Sequence, residues 1–264
     1  MWTPDELLLT GWRALAFVGD YTGVAAMAPE ETNRVLRYHS VGGGFYDDIS
    51  PGYFREQLDY LTDAYEVVDL PGVLERGDEK RVALTFDDGY RDFYEYVVPI
   101  LREYDVPATV FVPVRAVEDR EFAHNSRFDY EYVTEAQLRE LADEDLVTVG
   151  NHTVTHPRLT EVSDDRVEAE IVGGKQRLEA LLGTEVTRFC YPFNDYDERA
   201  VAVVRETHDL GVASQGRYRG VTPETDPATV PRINGANPAY EFRWDLSDAA
   251  VRVGRASRPV LDRL

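Results

Sequence analysis

The chain has 264 residues, 43% of them hydrophobic, and carries 49 acidic against 28 basic side chains, a net charge of −21. That length buries one sizeable core, as a single α/β barrel or as two small domains, and the acidity argues against a nucleic-acid partner, whose phosphates are held by basic surface. Lysine occurs only as Lys80 and Lys175 and the acids are spread along the chain, a pattern expected of a surface adapted to high salt, where screening tolerates self-repulsion.

In chain order, residues 1–30 read as an N-terminal extension and 31–264 as the main domain. Asp5 and Glu6 stand where an export signal would be basic, and the apolar stretch 14–27 is broken by Asp20 and glycines. No stretch is long and apolar enough to span a bilayer, so the expected location is cytoplasmic. Residues 35–38 read as a strand, and 51–63 as a helix with Phe54, Leu58 and Leu61 on one face. A strand is expected over 81–86, a helix over 91–103 stopped before Pro107, and a strand over 108–114. The stretch 115–133 is long for a βα loop and holds Phe122, Phe128, Tyr130 and Tyr132, which suits a lid or binding wall. Thr134 followed by Gln137 reads as a capping box opening a helix over 134–145. Then come a strand at 146–149, a helix at 163–182 ended by Gly183, a strand at 188–191, and a helix at 197–209 ended by Gly211. Weaker strands are expected at 212–214 and 230–233. The βα alternation predicts a parallel sheet, and chemistry-bearing residues just past several strands predict a barrel.

Asp87 and Asp88 follow the apolar run Val82-Ala-Leu-Thr-Phe86 and precede Gly89. Two adjacent like charges at a strand end need a cation, although a lone Asp-Asp-Gly is more often a turn. Two of the five histidines, His152 and His156, stand four residues apart in His152-Thr-Val-Thr-His156-Pro157, a spacing at which both rings can hold one ion. A carboxylate with two histidines leaves positions for water and substrate, as in a catalytic site. The single cysteine, Cys190, excludes an intramolecular disulfide and a thiolate cluster and reads as a small buried hydrophobe. His124 and His208 read as surface residues, and Asp47-Asp48 and Asp164-Asp165 as solvated loops or caps.

Thr85-Phe-Asp-Asp-Gly89 and His152-Thr-Val-Thr-His-Pro-Arg-Leu159, in that order, resemble the first two motifs of the polysaccharide deacetylases, the NodB-homology or carbohydrate esterase 4 group. The resemblance covers about 35–235 and implies a distorted (β/α) barrel of about seven strands that removes N- or O-acetyl groups from sugars with a divalent metal. It assigns Asp87 as general base and Asp88, His152 and His156 as metal ligands. The third family motif usually carries an arginine before proline and an aromatic. Here Arg188-Phe-Cys-Tyr-Pro-Phe193 puts Cys190 in the arginine's place, and Pro231-Arg232-Ile233 resembles a segment found in a subgroup with that departure, which makes Arg232 the candidate replacement. The family's C-terminal histidine motif is missing. Leu36-Arg-Tyr-His-Ser-Val41 resembles the N-terminal segment of a permuted subgroup, in which His39 would be the general acid.

What the resemblance implies chemically is a metal-activated water attacking an acetyl carbonyl. Asp87 would take the proton, the backbone N–H of Phe193 would help to hold the oxyanion, and His39 would protonate the leaving amine. Tyr191, Pro192 and Phe193 are the candidate substrate-binding residues, since an aromatic at a strand end suits a sugar ring, or else packs the barrel. Zinc is the expected ion, and two nitrogens with one carboxylate also accept cobalt or nickel. The expected partner is an acetylated carbohydrate. A non-sugar amide or cyclic imide is the alternative substrate, and a non-enzymatic carbohydrate-binding relic the third reading.

Overall fold

The computed structural model describes residues 32–253 apart from 78, 120–121, 123–130 and 215–219, together with residues 11, 13, 14, 16–19 and 21. Nine strands form one sheet: β1 (Arg34–Tyr38), β2 (Glu66–Val67), β3 (Arg81–Phe86), β4 (Ala108–Val112), β5 (Val147–Asn151), β6 (Arg188–Cys190), β7 (Leu210–Ala213), β8 (Val230–Pro231) and β9 (Ile233–Asn234). The order β8-β7-β6-β5-β4-β3-β1-β9 is parallel throughout, with β2 beside β3. β8 and β9 sit at opposite ends of that order yet are separated in sequence by Arg232 alone, so one short segment joins both edges and shuts the distorted (β/α) barrel. Both faces of β4 and β7 are buried. Unbroken apolar runs such as Ala108-Thr-Val-Phe-Val112 therefore replace the alternation of a half-exposed sheet.

The helices that cover the barrel are α1 (Pro51–Ala64), α2 (Val98–Tyr104), α3 (Val114–Glu118), α4 (Glu135–Ala142), α5 (Asp164–Leu182), α6 (Glu198–Thr207) and α7 (Ala239–Leu246). Ser50 caps α1 through Tyr53 N–H, and α1 buries Phe54, Leu58 and Leu61, the face expected from spacing. Both halves of the Thr134/Gln137 capping box form. Gly183 ends α5 at φ 72°, a conformation that glycine adopts without Cβ strain.

Several boundaries differ from expectation for local reasons. The helix expected at 91–103 begins as a π-helical turn, Phe93–Val97, in which Val98 N–H reaches back to the Phe93 carbonyl. Pro99 lacks an N–H for a regular ladder, and the wider turn accommodates it. α6 stops at Thr207, and Gly211 lies inside β7 rather than closing the helix. A Cβ on Gly211 would meet the Ala228 carbonyl at 2.5 Å, so the glycine serves close backbone approach. Part of 115–133 is helical, as α3, and Tyr132 bridges to Tyr90. Phe128, Tyr130 and His124 lie outside the described residues. Of the N-terminal segment, Ala16 packs with Trp244 and Ala250, and Arg13 meets Glu241 at 3.0 Å. Among the described residues no helix is long and apolar enough to cross a membrane.

Candidate active site and metal centre

The parallel register places the site. Tyr38 pairs with Phe86 at the ends of β1 and β3, so His39 emerges beside Asp87. Val112 pairs with Asn151 across β4 and β5, so His152 emerges two strands round from Asp87. All of these lie at the carboxyl ends of the strands, where a parallel barrel exposes its functional side chains.

The metal set comes first. Asp88 Oδ1 lies 3.7 Å from His152 Nε2 and 3.4 Å from His156 Nε2, and the two Nε2 atoms are 3.1 Å apart. Donors about 2.0–2.2 Å from a tetrahedral zinc lie roughly 3.3–3.6 Å from one another, so these three side chains fit one divalent ion. The tautomer supports the fit. His152 Nδ1 is 2.7 Å from the Cys190 carbonyl, which can only accept, so Nδ1 carries the proton and the Nε2 lone pair faces His156 and Asp88. Burial lowers the His152 pKa against the opposing pull of Asp87 and Asp88, which favours the neutral ring a metal requires. A second set within reach, Asp87, His152 and Cys190, suits a metal less well. Burial pushes the Cys190 thiol well up, so it stays protonated, and Asp87 is engaged elsewhere.

That engagement is with Arg232. Its Nη1 and Nη2 donate to the two Asp87 oxygens at 2.7 and 2.8 Å, and the pair is buried. Arg232 also donates to Thr85 Oγ1 at 3.1 Å and approaches Cys190 Sγ at 3.1 Å. Burial by itself would raise the Asp87 carboxyl, but the guanidinium charge and its hydrogen bonds, aided by His152 and His39, outweigh it. Asp87 is thus held well below the usual carboxylate range. The small Cys190 side chain leaves room for the guanidinium to reach Asp87 from the closing segment between β8 and β9.

His39 completes the inner ring. Its Nε2 is 3.9 Å from Asp87 Oδ2 and its Nδ1 3.8 Å from Asp47 Oδ2. Burial lowers its pKa while Asp88 and Asp87 oppose. Tyr46 packs edge-on against the His39 ring and is 48% exposed; Phe193 packs against His156 at 4.5 Å and is 46% exposed. Two accessible aromatics thus flank the site. Of the other candidate binding residues, Tyr191 is buried, packs edge-on against Phe189 and at a tilt against Tyr196, and donates its hydroxyl to the Ala228 carbonyl. Pro192 is buried as well. The structure therefore gives Tyr191 and Pro192 packing positions, because the chain turns at Pro192 and presents only the Phe193 ring outward.

The site backbone is strained. Asp88, Thr153, His156, Phe193 and Asn194 all have φ between 55° and 74°, a region costly for residues with a Cβ unless the surroundings enforce it. The enforcing groups were not singled out from sequence. Glu170 of α5 accepts from Val154 N–H at 2.9 Å, Thr155 N–H at 2.7 Å and the Thr155 hydroxyl at 2.6 Å. Asn151 accepts from Thr153 N–H and donates to the Ile171 carbonyl. A Cβ on Gly174 would fall 2.3 Å from Asn151 Oδ1, so this glycine lets α5 approach the histidine loop. Asp92 accepts from the Ser40 hydroxyl at 2.5 Å and Val41 N–H at 2.7 Å, which holds the chain just after His39. Burial raises its pKa to about 6 against those hydrogen bonds. His208, expected at the surface, is buried with Nε2 3.1 Å from Asn151 Nδ2 and Nδ1 2.9 Å from Thr207 Oγ1. A helix-phase count over the expected helix 197–209 places it inward, four residues after the buried Val204. Burial, with help from Lys175, lowers its pKa to about 4.

A (β/α) barrel with two histidines and a carboxylate converging at its carboxyl end, beside a second, arginine-paired carboxylate, defines a class of hydrolases with a possible metal-binding site. More narrowly, the chain belongs to the polysaccharide deacetylase family, whose sequence profile matches residues 75–211; the family comprises hydrolases acting on C–N bonds. The YxkH protein of Bacillus subtilis (strain 168), which carries a provisional polysaccharide-deacetylase name, is 24% identical over 216 residues, 79% of this chain and 70% of that protein. The poly-β-1,6-N-acetyl-D-glucosamine N-deacetylase of Escherichia coli (strain K12) is 39% identical over 112 residues, 38% of this chain and only 16% of that enzyme. The fold is similar to that of the Streptococcus pyogenes deacetylase PplD, solved in complex with acetate, with a TM-score of 0.69 at 24% identity over 83% of this chain and 99% of that one.

Proposed function

We propose that this chain removes N-acetyl groups from an acetylated carbohydrate, with Asp88, His152 and His156 holding a divalent ion, zinc in the first instance and cobalt or nickel as substitutes. The observation that carries the reading is the division of labour between adjacent carboxylates. Asp88 faces the two histidines at 3.4 and 3.7 Å, and Asp87 is held ionised by Arg232. A bound divalent ion supplies Lewis acidity that polarises an acyl oxygen and acidifies water. Asp87, kept off that ion by its two bonds to Arg232, accepts the proton that the attacking water gives up. The C–N bond then breaks, His39 donates a proton to the departing nitrogen, and the products are a free amine and acetate. The backbone N–H of Phe193, whose ring packs on His156, is the proposed donor to the developing oxyanion, an interaction worth roughly 2.7–4 kcal/mol. Tyr46 and Phe193 at the rim support a sugar over a non-sugar amide, since pyranose faces pack on exposed rings.

The test is acetate release from N-acetylglucosamine oligomers by metal-stripped protein after zinc, cobalt or nickel is restored, at low and high salt, with Asp87→Asn alongside. Restored, Asp87-dependent release is the expected result, with Asp87→Asn still binding metal. No release with metal demonstrably bound would sink the sugar reading. Greater activity and stability at high salt would support the halophilic reading of the −21 charge.

A further inference from the structure

Arg158 stands apart from the four arginines that follow it in the sequence. Arg166, Arg177, Arg188 and Arg199 each meet a carboxylate, whereas Arg158, in a chain with 49 acids, makes no ion pair among the described residues. Its guanidinium carbon instead lies 4.5 Å from the centroid of the Phe193 ring, and that same ring is 4.5 Å from the ring of His156. Nearby acids are committed elsewhere. Asp195 accepts from Thr160 N–H and hydroxyl at 3.1 and 2.7 Å, and Asp164 and Asp197 are taken by Arg199.

The stalk that carries Arg158 is rigid. Upstream, Glu170 ties down Val154 and Thr155 and Pro157 fixes its own φ; downstream, Leu159 is buried and Thr160 is held by Asp195. The aromatic platform is rigid too, with Phe193 locked at φ 56° and Ser214 N–H donating to Asn194 Oδ1 at 2.6 Å. Stacking on an aromatic face fixes the guanidinium plane and leaves its in-plane N–H fork available to a carboxylate approaching from the side. A cation so presented, two ring contacts from a metal-site histidine, is within reach of a substituent on the sugar that carries the acetamide or on its neighbour.

We propose that Arg158, stacked on Phe193, is a specificity-determining residue that binds a carboxylate on the substrate, so that the preferred substrate is an acidic acetamido sugar chain rather than neutral poly-N-acetylglucosamine. The inference rests on the deacetylase reading above and narrows its substrate class. The surrounding negative charge gives the site a reason to keep one unspent cation, because an anionic chain would otherwise be repelled from the mouth.

The experiment compares two probes on metal-loaded protein at one ionic strength: an N-acetylglucosamine tetramer, and a tetrasaccharide alternating N-acetylglucosamine with glucuronate. The expected result is a kcat/KM ratio favouring the acidic probe, carried by KM, that falls roughly ten- to a hundredfold in Arg158→Gln, survives in part in Arg158→Lys and inverts in Arg158→Glu. An unchanged ratio in Arg158→Gln, or a preference for the neutral probe in the wild type, overturns the proposal. Calorimetric binding of both probes to metal-loaded Asp87→Asn decides independently of turnover. Acidic-probe preference that depends on Arg158 there, with no acetate release by the wild type, would keep this inference and sink the deacetylase reading. Equal or no binding of the two probes would sink the inference itself.

Discussion

The two halves of the site are built in opposite ways. The histidine loop is local: His152 and His156 lie four residues apart, and their scaffold is Thr153 N–H donating to Asn151, Val154 N–H donating to Glu170, and the His152 ring donating to the Cys190 carbonyl. The pocket of Asp87, the proposed base, is remote: Asp87 and Arg232 are 145 residues apart, and their contact is a buried ion pair between the end of β3 and the segment that closes the barrel. The two histidines keep their spacing through their own loop, whereas Asp87, once buried, has its counter-charge only when the last strands are seated.

Replacing a histidine breaks the local half. His152→Ala or His156→Ala should leave the protein folded, lose bound metal on dialysis, and lower turnover by more than about a thousandfold, beyond the 10–100-fold typical of outer-shell changes. Metal content and acetate release measured together check this, and full metal occupancy in either variant would remove that histidine from the proposed ligands. Arg232→Met attacks the remote half. Leaving Asp87 buried without its counter-charge should cost about 3–5 kcal/mol in urea unfolding and shift the acid limb of the pH–rate profile upward, because burial then acts on Asp87 without the guanidinium that lowers it. An unchanged profile would mean that Arg232 does not set the charge of Asp87.

A third measurement sharpens the comparison from beneath the histidine loop. His208 has its pKa lowered to about 4 in the fold against about 6.5 unfolded, chiefly by burial. The unfolded chain therefore binds the extra proton first. The contribution of neutral His208 is fully present above about pH 6.5, declines as pH falls, and is gone below about pH 4, a loss of roughly 3 kcal/mol in all. Protonation at Nε2 also sets a second donor against Asn151 Nδ2. Urea unfolding at pH 7 and pH 5 should show the wild type losing more stability than His208→Gln, and equal losses would remove His208 as the cause.

The sequence showed most of the local half and less of the remote one, for physical reasons. His152 and His156 announce themselves because two ligating side chains on one short loop must be close in sequence, and Asp88 because it stands beside a second carboxylate at a strand end; the structure brings all three together. Arg232 was reachable only through a family resemblance, since no periodicity connects β3 to the closing segment. The strand at 230–233 was visible as apolar residues, but not that it divides at Arg232 to pair with β7 on one side and β1 on the other. Glu170 and Asp92 look like surface acids, in a helix and at a helix start, until the loops they hold are placed beside them. For Tyr191 and Pro192 the sequence leaves sugar binding and barrel packing both open; the strand ends one residue earlier than expected, at Cys190, and both residues are buried in packing positions.

The closure at Arg232 also orders events in time. Asp88, His152 and His156 all precede β8 and β9 in the chain, so a chain made from its N-terminus contains them before the closing segment exists. Only when Val230–Pro231 docks on β7 and Ile233–Asn234 on β1 does the guanidinium arrive at Asp87. The segment thus carries two duties at once: the residues that bury Asp87 against a counter-charge are the same ones that bring the two edges of the sheet together.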